Sequence, residues 1–303
     1  SAPAPVLHAL AEAAGGASAP GFASHRPRRP SLEEEFEQAA AAIRRGRDAL
    51  DGLTAVLLRE AAAIWPDRWT TLTPKPVVLA TWVGYDTDGR TDIGWWDTMR
   101  LRLQMKRMGL QRLLDQVGAV PASAVLAARV GEAVAAVDLQ VQSAPSGPNP
   151  GEVAAFADAL VGGRDAALLT PAPLLPLFND AIAAAEGEDR MRLLVARAGL
   201  VGHGMSLAHT HVRLNATQMH NAARQRLGLN DPPGDPACRR ALLVGINAAL
   251  DAVQPVPVYF GALLAEQASA VRLMMTVAQV VKHVDGGSPV RFLIAETESG
   301  YTL

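Results

Sequence analysis

The sequence predicts a mainly α-helical fold with a few parallel strands. Hydrophobic residues make up 49% of the chain and aromatic residues only 5%, and an alanine- and leucine-rich composition of this kind is typical of helix-dominated proteins. Two short apolar runs favour strands instead, at residues 77–79 (VVL) and 289–295 (PVRFLIA). The first run follows two prolines, and its continuous β-branched character suits a strand that is buried on both faces of a parallel sheet.

Charge and cysteine content narrow the class of protein. Lys and Arg total 28 and Asp and Glu total 30, so the formal net charge is −2, and this balance does not favour a nucleic-acid partner. The single cysteine, Cys238, excludes an intramolecular disulfide and a cysteine-based zinc site. No apolar run reaches the roughly 18–20 residues that cross a bilayer. We therefore expect a cytoplasmic protein that binds neither nucleic acid nor membranes.

The 303 residues are interpreted as one domain whose first 30 residues form an irregular segment. Several prolines between residues 20 and 30 disfavour a continuous helix there. Arg26, Arg28 and Arg29 are candidates for holding an anion, although a solvated linker is the simpler interpretation.

A long helix is predicted to begin at Ser31. Ser31 and Glu34 fit a capping box, and the Trp65-Pro66 step ends the helical pattern. Trp65 and Trp69 are interpreted as core aromatics near the base of the next strand. Apolar residues recur at helical spacing and predict one buried stripe, formed by Phe36, Ile43, Leu50, Leu53 and Leu57.

Residues 76–90 combine the first predicted strand with an acidic, glycine-bearing turn. The turn carries Asp86 and Asp88, ends at Arg90, and has Trp82 close by. Loops at the carboxyl ends of parallel strands are where α/β folds place their chemistry, which favours a functional site. A turn in which both aspartates cap the following helix remains an alternative.

The chain from residue 95 to residue 200 is predicted to be helical. A first helix covers residues 95–117, and loops break the later helical pattern at residues 143–151 and 170–176. Basic residues along the first helix are interpreted as a solvated face, with only those nearest its start able to reach a ligand at the Asp86 turn. The basic residues of this helix are Arg100, Arg102, Lys106, Arg107 and Arg112, and Arg100 is among those nearest its start.

Four of the seven histidines lie between residues 199 and 228, at His203, His209, His211 and His220. On a strand, His209 and His211 would project from the same face. An H-x-H pair on a barrel strand is one way in which metal-dependent hydrolases begin a metal site. Such a hydrolase is one alternative function, although it needs further ligands from later strands, and His283 is the only later histidine.

Residues 81–90, TWVGYDTDGR, resemble the S-W-x-G-G-D-R-D-G-N segment of phosphoenolpyruvate carboxylases, which follows the second strand of a helix-rich barrel. The matching positions include Trp82, Asp86 and Asp88. The segment departs from the family at Tyr85, which is usually glycine, at Thr87, which is usually arginine, and at Arg90, which is usually asparagine.

Two later segments extend this resemblance. Residues 211–218, HVRLNATQ, resemble the family's third barrel strand, L-V-R-L-D-I-R-Q-E-S, at Arg213, Leu214 and Gln218. Asn215 replaces the family's aspartate, and Thr217 stands where the family has an arginine associated with the substrate site. Residues 289–295 and the acidic turn after them resemble the fourth strand. The resemblance thus implies a TIM-like barrel, of which this chain carries strands two to four with long helical insertions.

The resemblance implies a carboxy-lyase that joins bicarbonate to phosphoenolpyruvate with Mg²⁺ or Mn²⁺, giving oxaloacetate and phosphate for the tricarboxylic acid cycle. The family's catalytic histidine lies in a T-A-H-P-T motif and its glycine-rich loop reads H-G-R-G-G, and the sequence contains neither motif. Our candidates for substrate binding are the turn residues Trp82, Asp86, Asp88 and Arg90, with Arg213 and Gln218 as lesser candidates.

We therefore expect this chain to be an internal part of a longer polypeptide that supplies the histidine and the metal ligands, and to be inactive alone. The family's usual homotetramer is the expected assembly. An inactive family member that acts as a regulatory or scaffold subunit is an alternative, because Thr87 and Thr217 both stand at family arginines.

Overall fold

A computed structural model describes residues 30–86, 92–230, 235–254 and 258–297. The described residues from Leu32 onward belong to one compact unit. The irregular segment predicted at residues 1–30 lies outside the described residues except for Pro30.

Helices dominate the described part of the chain, and three strands interrupt them. Short 3₁₀ turns occur at Trp69–Thr71 and Pro121–Ser123. In chain order the other elements are α1 (Leu32–Ile64), β1 (Ala80–Thr81), α2 (Trp95–Val117), α3 (Ala124–Gln142), α4 (Pro150–Gly162), α5 (Arg164–Ala167), α6 (Leu174–Ala184), α7 (Gly187–His203), β2 (His209–Asn215), α8 (Ala216–Arg226), α9 (Pro236–Leu250), α10 (Phe260–Ala265), α11 (Ser269–His283) and β3 (Val290–Ala295).

The described strands form one parallel sheet in the order β1-β2-β3, with helices between successive strands. Ala80 pairs with His209, and β2 runs beside β3 as far as Asn215, which pairs with Ala295. One face of β2 packs against α11, where the fully buried Val212 and Leu214 belong to one hydrophobic cluster with Leu273. The mainly helical fold with a few parallel strands is confirmed, as are the strands at the second and third resembling segments.

The first strand differs from the prediction. Only Ala80–Thr81 forms a strand, and Val77 and Val78 are 51% and 36% exposed, so burial on both faces is wrong. The cause is the position of β1 at an edge of the described sheet, where β2 is its only neighbour. Pro74 and Pro76 also lack the N–H that a ladder needs.

The buried stripe of α1 is displaced by one position along part of its length. Phe36 is buried as predicted, but Leu53 and Leu57 are 43% and 40% exposed while Thr54 and Leu58 are buried. After the helix, Trp65 is 54% exposed, so its assignment to the core is wrong. Trp69 packs against the main hydrophobic core.

Helix α2 has the predicted bounds but not the predicted surface. Arg102 is 3% exposed and Lys106 is fully buried, so a solvated basic face is wrong for these two residues. The physical reason is that α2 contacts α3, α7 and α11, and a helix covered by several neighbours has no broad solvent-facing stripe. Arg100, Arg107 and Arg112 keep partly exposed side chains.

The main hydrophobic core lies among the helices. Residues of the sheet belong to a separate, smaller hydrophobic cluster. Met99, Leu103, Phe156 and Phe178 belong to the main core. The predicted breaks near residues 143–151 and 170–176 fall between α3 and α4 and before α6. None of the helices in the described ranges combines the length and apolar character that crossing a lipid bilayer requires.

Candidate functional site

The chain segments that leave the three strands bring polar side chains to one edge of the sheet. Asp86 follows β1, Asn215 ends β2 and Glu296 follows β3. Because the strands are parallel, these carboxyl ends lie at the same edge. We call Trp82, Asp86, Arg213, Asn215 and Glu296 the carboxyl-end cluster.

A tight turn after β1 presents Asp86 to β2. The Tyr85 N–H donates to the Trp82 carbonyl at 2.8 Å, and Gly84 has a φ of 84°. This left-handed conformation favours glycine. After the turn the chain rejoins the sheet, since Asp86 forms a parallel bridge with Arg213 and the Arg213 N–H donates to the Tyr85 carbonyl at 3.1 Å.

Arg213 joins the first two resembling segments through its side chain. Its Nη1 lies 3.5 Å from Asp86 Oδ2, and its Cζ lies 5.9 Å from the centre of the Trp82 ring. The carboxylate and the aromatic face both attract the guanidinium and orient it. The Arg213 side chain remains 35% exposed, so an anion can still approach it.

Asn215 and Glu296 join the second and third strands. Asn215 Nδ2 donates to Glu296 Oε2 at 2.7 Å, and Asn215 Oδ1 accepts from the Thr217 N–H at 2.8 Å and caps α8. An amide suits this position because it donates to the carboxylate, whereas an aspartate there would repel it. Glu296 was not among the predicted site residues, although its place in an acidic turn after a strand was the available signal.

The structure thus brings three of the six predicted site residues into one contact group: Trp82, Asp86 and Arg213. Gln218 lies in the first turns of α8, three residues beyond Asn215. Asp88 and Arg90 lie outside the described residues. Thr217, at a position where the resembling family has an arginine, is exposed in the first turn of α8.

His209 and His211 share the strand that the hydrolase hypothesis needs, but an arginine lies next to them. His209 Nδ1 lies 3.2 Å from Arg291 Nη1, and the register places His211 opposite Arg291. Burial lowers the pKa of both histidines, and the positive charge of Arg291 lowers it further. That charge would also oppose a bound cation.

The donor set does not fit a metal site either. Within the ranges that the structure describes, no three or more His, Cys, Asp or Glu side chains lie together so as to hold an ion. We therefore assign neither zinc nor Mg²⁺ or Mn²⁺ to these residues and derive no step through a metal.

A second polar cluster, which we call the buried cluster, consists of Arg102, Lys106, Ser206 and Asp285 near the amino end of β2. Arg102 Nη2 forms an ion pair with Asp285 Oδ2, which also accepts from Ser206 Oγ at 2.8 Å. Lys106 Nζ donates to the carbonyls of Leu168 and Val284 at 2.5 and 2.7 Å. Nothing in the sequence links α2 to residue 285, so this cluster was missed.

Burial and neighbouring charges act in opposite directions on the pKa values of Lys106 and Asp285. Burial lowers the pKa of Lys106 to about 7, although the carboxylate of Asp285 acts in the opposite direction. Burial alone would raise the pKa of Asp285, but Arg102, Ser206 and Lys106 outweigh it and hold that pKa below its usual value. The negative charge of Asp285 is therefore retained inside the protein.

Comparison with known proteins adds no identification. No protein-family model matches the chain, and no curated protein has a significantly similar sequence.

Proposed function

We propose that this chain is part of a divergent phosphoenolpyruvate carboxylase and that its carboxyl-end cluster lines the phosphoenolpyruvate site. The observation that supports this best is the contact of Arg213 with Asp86 and Trp82. Arg213 and Asp86 are 127 residues apart in the chain, and each belongs to a segment that resembles the family. The parallel order β1-β2-β3 agrees with consecutive strands of a barrel.

The chemistry of the cluster suits a ligand with a phosphate and a carboxylate. Arginine offers paired donors to either group, and Arg213 is held by Asp86 and Trp82 while still partly exposed. Asp86 therefore acts as a residue that positions Arg213 and balances its charge. In this proposal the reactive histidine and the ligands of Mg²⁺ or Mn²⁺ come from residues beyond these 303, so the chain binds substrate without turning it over.

The edges of the sheet are consistent with a larger barrel. Within the described residues, β1 and β3 each have a neighbour on one side only. Val77 beside β1 and Phe292 and Leu293 in β3 are 51%, 43% and 42% exposed. Open strand edges with exposed apolar residues are usually covered in native proteins, and further barrel strands would cover them. The cytoplasmic setting and the homotetramer stay predictions.

A second candidate function is a regulatory or scaffold subunit that has lost catalysis. The exposed threonine at position 217, in the first turn of α8, favours it, because a neutral side chain there removes a positive charge from the mouth of the cluster. Such a subunit would bind phosphoenolpyruvate weakly, and the longer polypeptide would also lack turnover.

Calorimetric titration of the chain with phosphoenolpyruvate tests the proposal, alongside an assay for bicarbonate-dependent oxaloacetate formation. We expect binding without oxaloacetate formation. Arg213→Ala should weaken binding about tenfold or more, since a charge-assisted hydrogen bond contributes about 1.5–3 kcal/mol. Arg45→Ala, on the exposed side of α1, is the matched control and should bind as the wild type does.

Two results would contradict the proposal. Equal affinity of the wild type and Arg213→Ala would remove Arg213 from the site. Oxaloacetate formation by the chain alone would show that the reactive groups lie within it. Oxaloacetate formation by the longer polypeptide would exclude the regulatory alternative.

A further inference from the structure

A pocket outside the carboxyl-end cluster is lined by two arginines and by no acidic residue. It lies between the 3₁₀ turn Trp69–Thr71 and helices α6 and α7, and its volume is about 590 Å³. None of its residues belongs to the carboxyl-end cluster. We call it the arginine pocket, and it is lined by Thr70, Thr71, Asn179, Ile182, Ala183, Arg190 and Arg197.

Arg197 is the unusual member of this pocket because its charge is buried among neutral groups. Arg197 is only 8% exposed. Nη2 donates to the carbonyls of Thr70 and Leu72 at 2.5 and 3.3 Å, and Nη1 donates to Asn179 Oδ1 at 3.3 Å. Each partner is a neutral oxygen, so hydrogen bonds hold the guanidinium without neutralising it.

Other buried arginines in the described residues have a carboxylate close by. Arg102 forms an ion pair with Asp285. Burial lowers the pKa of Arg47 to about 10, and the nearby carboxylate of Asp51 opposes this shift. Burial also lowers the pKa of Arg197, with no carboxylate opposing it. A buried charge without a counter-charge costs free energy, and an anion in the pocket would remove that cost.

Arg190 adds a second positive charge at the rim. It is partly exposed, and its Nε donates to the Ala185 carbonyl at 2.7 Å, which fixes the guanidinium beside the pocket. Thr70 and Asn179 contribute hydroxyl and amide donors. Two guanidinium groups with neutral donors and no acidic lining residue are the chemistry that recognises a phosphate group.

We propose that the arginine pocket binds a phosphate group. Its volume lies within the range of about 300–1,000 Å³ that small-molecule sites occupy. Inorganic phosphate fills only part of that space, so a small phosphate monoester fits it better. The organic part of such a ligand contacts Ile182 and Ala183, while the phosphate lies between Arg190 and Arg197. This site does not depend on the function proposed for the carboxyl-end cluster.

Binding is measured by calorimetric titration with inorganic phosphate and, in a second arm, with glycerol 3-phosphate, both at constant ionic strength. Arg190→Gln removes the rim charge and leaves the Arg197 contacts with Thr70 and Leu72 intact. We expect it to weaken phosphate binding about tenfold, the effect of one charge-assisted hydrogen bond. Arg192→Gln, an exposed arginine on the same helix outside this pocket, is the matched control and should leave binding unchanged.

Further variants and ligands separate the possible outcomes. In the Arg213→Ala background, where the carboxyl-end cluster has lost its guanidinium, Arg190→Gln should still weaken phosphate binding about tenfold, which distinguishes this pocket from the carboxyl-end cluster. Tighter binding of glycerol 3-phosphate than of inorganic phosphate assigns the site to a phosphorylated small molecule, whereas equal binding assigns it to free phosphate. The proposal is overturned if Arg190→Gln binds phosphate as tightly as the wild type, or if the wild type binds neither ligand.

Discussion

At the carboxyl end of the sheet, Arg213 faces Asp86 at 3.5 Å and its side chain stays 35% exposed. At the amino end, Arg102 contacts Asp285 with side chains that are 3% and 0% exposed. Both contacts join an arginine to an aspartate, but solvent reaches only the first. In water an ion pair contributes little to stability and remains available to a ligand, whereas a buried pair cannot lose one partner without leaving a charge stranded.

The comparison separates residues that hold the fold from residues that face a ligand. The buried cluster ties α2 to the chain before β2 and to the end of α11, through Arg102, Ser206 and Asp285. The carboxyl-end cluster ties together only the segments that leave the strands. Substitutions in the first should therefore change the free energy of unfolding, and substitutions in the second should change ligand affinity.

The largest effect is expected for Asp285→Asn. This change keeps the shape of the side chain but leaves Arg102 and Lys106 buried without a carboxylate. We expect the free energy of unfolding to fall by about 3–5 kcal/mol, measured by urea denaturation. A loss below about 1 kcal/mol is the value for an exposed ion pair. It would show that the Arg102–Asp285 pair contributes no more to stability than the Arg213–Asp86 pair.

The pH dependence of stability tests Lys106. Its pKa is lowered from 10.5 to about 7 in the folded state, so between these values the unfolded chain binds the additional proton. Stability should therefore rise with pH from about 7 upward, by about 1 kcal/mol per pH unit from this residue. Urea denaturation at several values between about pH 7 and pH 9.5 measures it.

Lys106→Met is the matching variant for that experiment. It removes the titrating group but also the donor to the Leu168 and Val284 carbonyls, so it should cost about 1–3 kcal/mol and flatten the pH dependence. If the variant and the wild type keep the same slope against pH, another group is responsible.

A smaller effect is expected for Trp82→Leu in the carboxyl-end cluster. The substitution removes the aromatic face 5.9 Å from the Arg213 guanidinium, and such an interaction contributes about 0.5–1 kcal/mol at exposed sites. Phosphoenolpyruvate affinity should fall several-fold in calorimetric titrations, with little change in the urea midpoint. A large loss of stability without a loss of affinity would make Trp82 a structural residue.

The smallest effect on stability is expected for Asp86→Asn, the counterpart of Asp285→Asn at the open end. The side chain of its partner Arg213 is 35% exposed and keeps contact with water, so the free energy of unfolding should change by less than about 1 kcal/mol. Urea denaturation of both asparagine variants under one set of conditions gives the comparison directly. A change above about 3 kcal/mol for Asp86→Asn would show that the open pair also supports the fold.

The local sequence pattern was sufficient to predict features that depend on a single segment of the chain. The bounds of α2 and the strand at Val290–Ala295 follow from the apolar pattern. The strand at His209–Asn215 and the common site of Trp82, Asp86 and Arg213 were expected from the resemblance to phosphoenolpyruvate carboxylases. The burial of Lys106 does not follow from the local pattern, because it depends on which helices cover α2. Leu53 and Leu57 were misplaced for a related reason: an alanine-rich helix offers several faces, and tertiary contacts choose Thr54 and Leu58.

Arginine labelling tests the central claim that the carboxyl-end cluster binds phosphoenolpyruvate. Phenylglyoxal modification of the chain, read residue by residue by mass spectrometry with and without phosphoenolpyruvate, reports which guanidinium groups the ligand covers. We predict that phosphoenolpyruvate slows the labelling of Arg213 several-fold and leaves exposed Arg45 unchanged. Labelling of Arg213 at the same rate in both samples, at a ligand concentration that saturates binding in the calorimeter, would contradict the assignment.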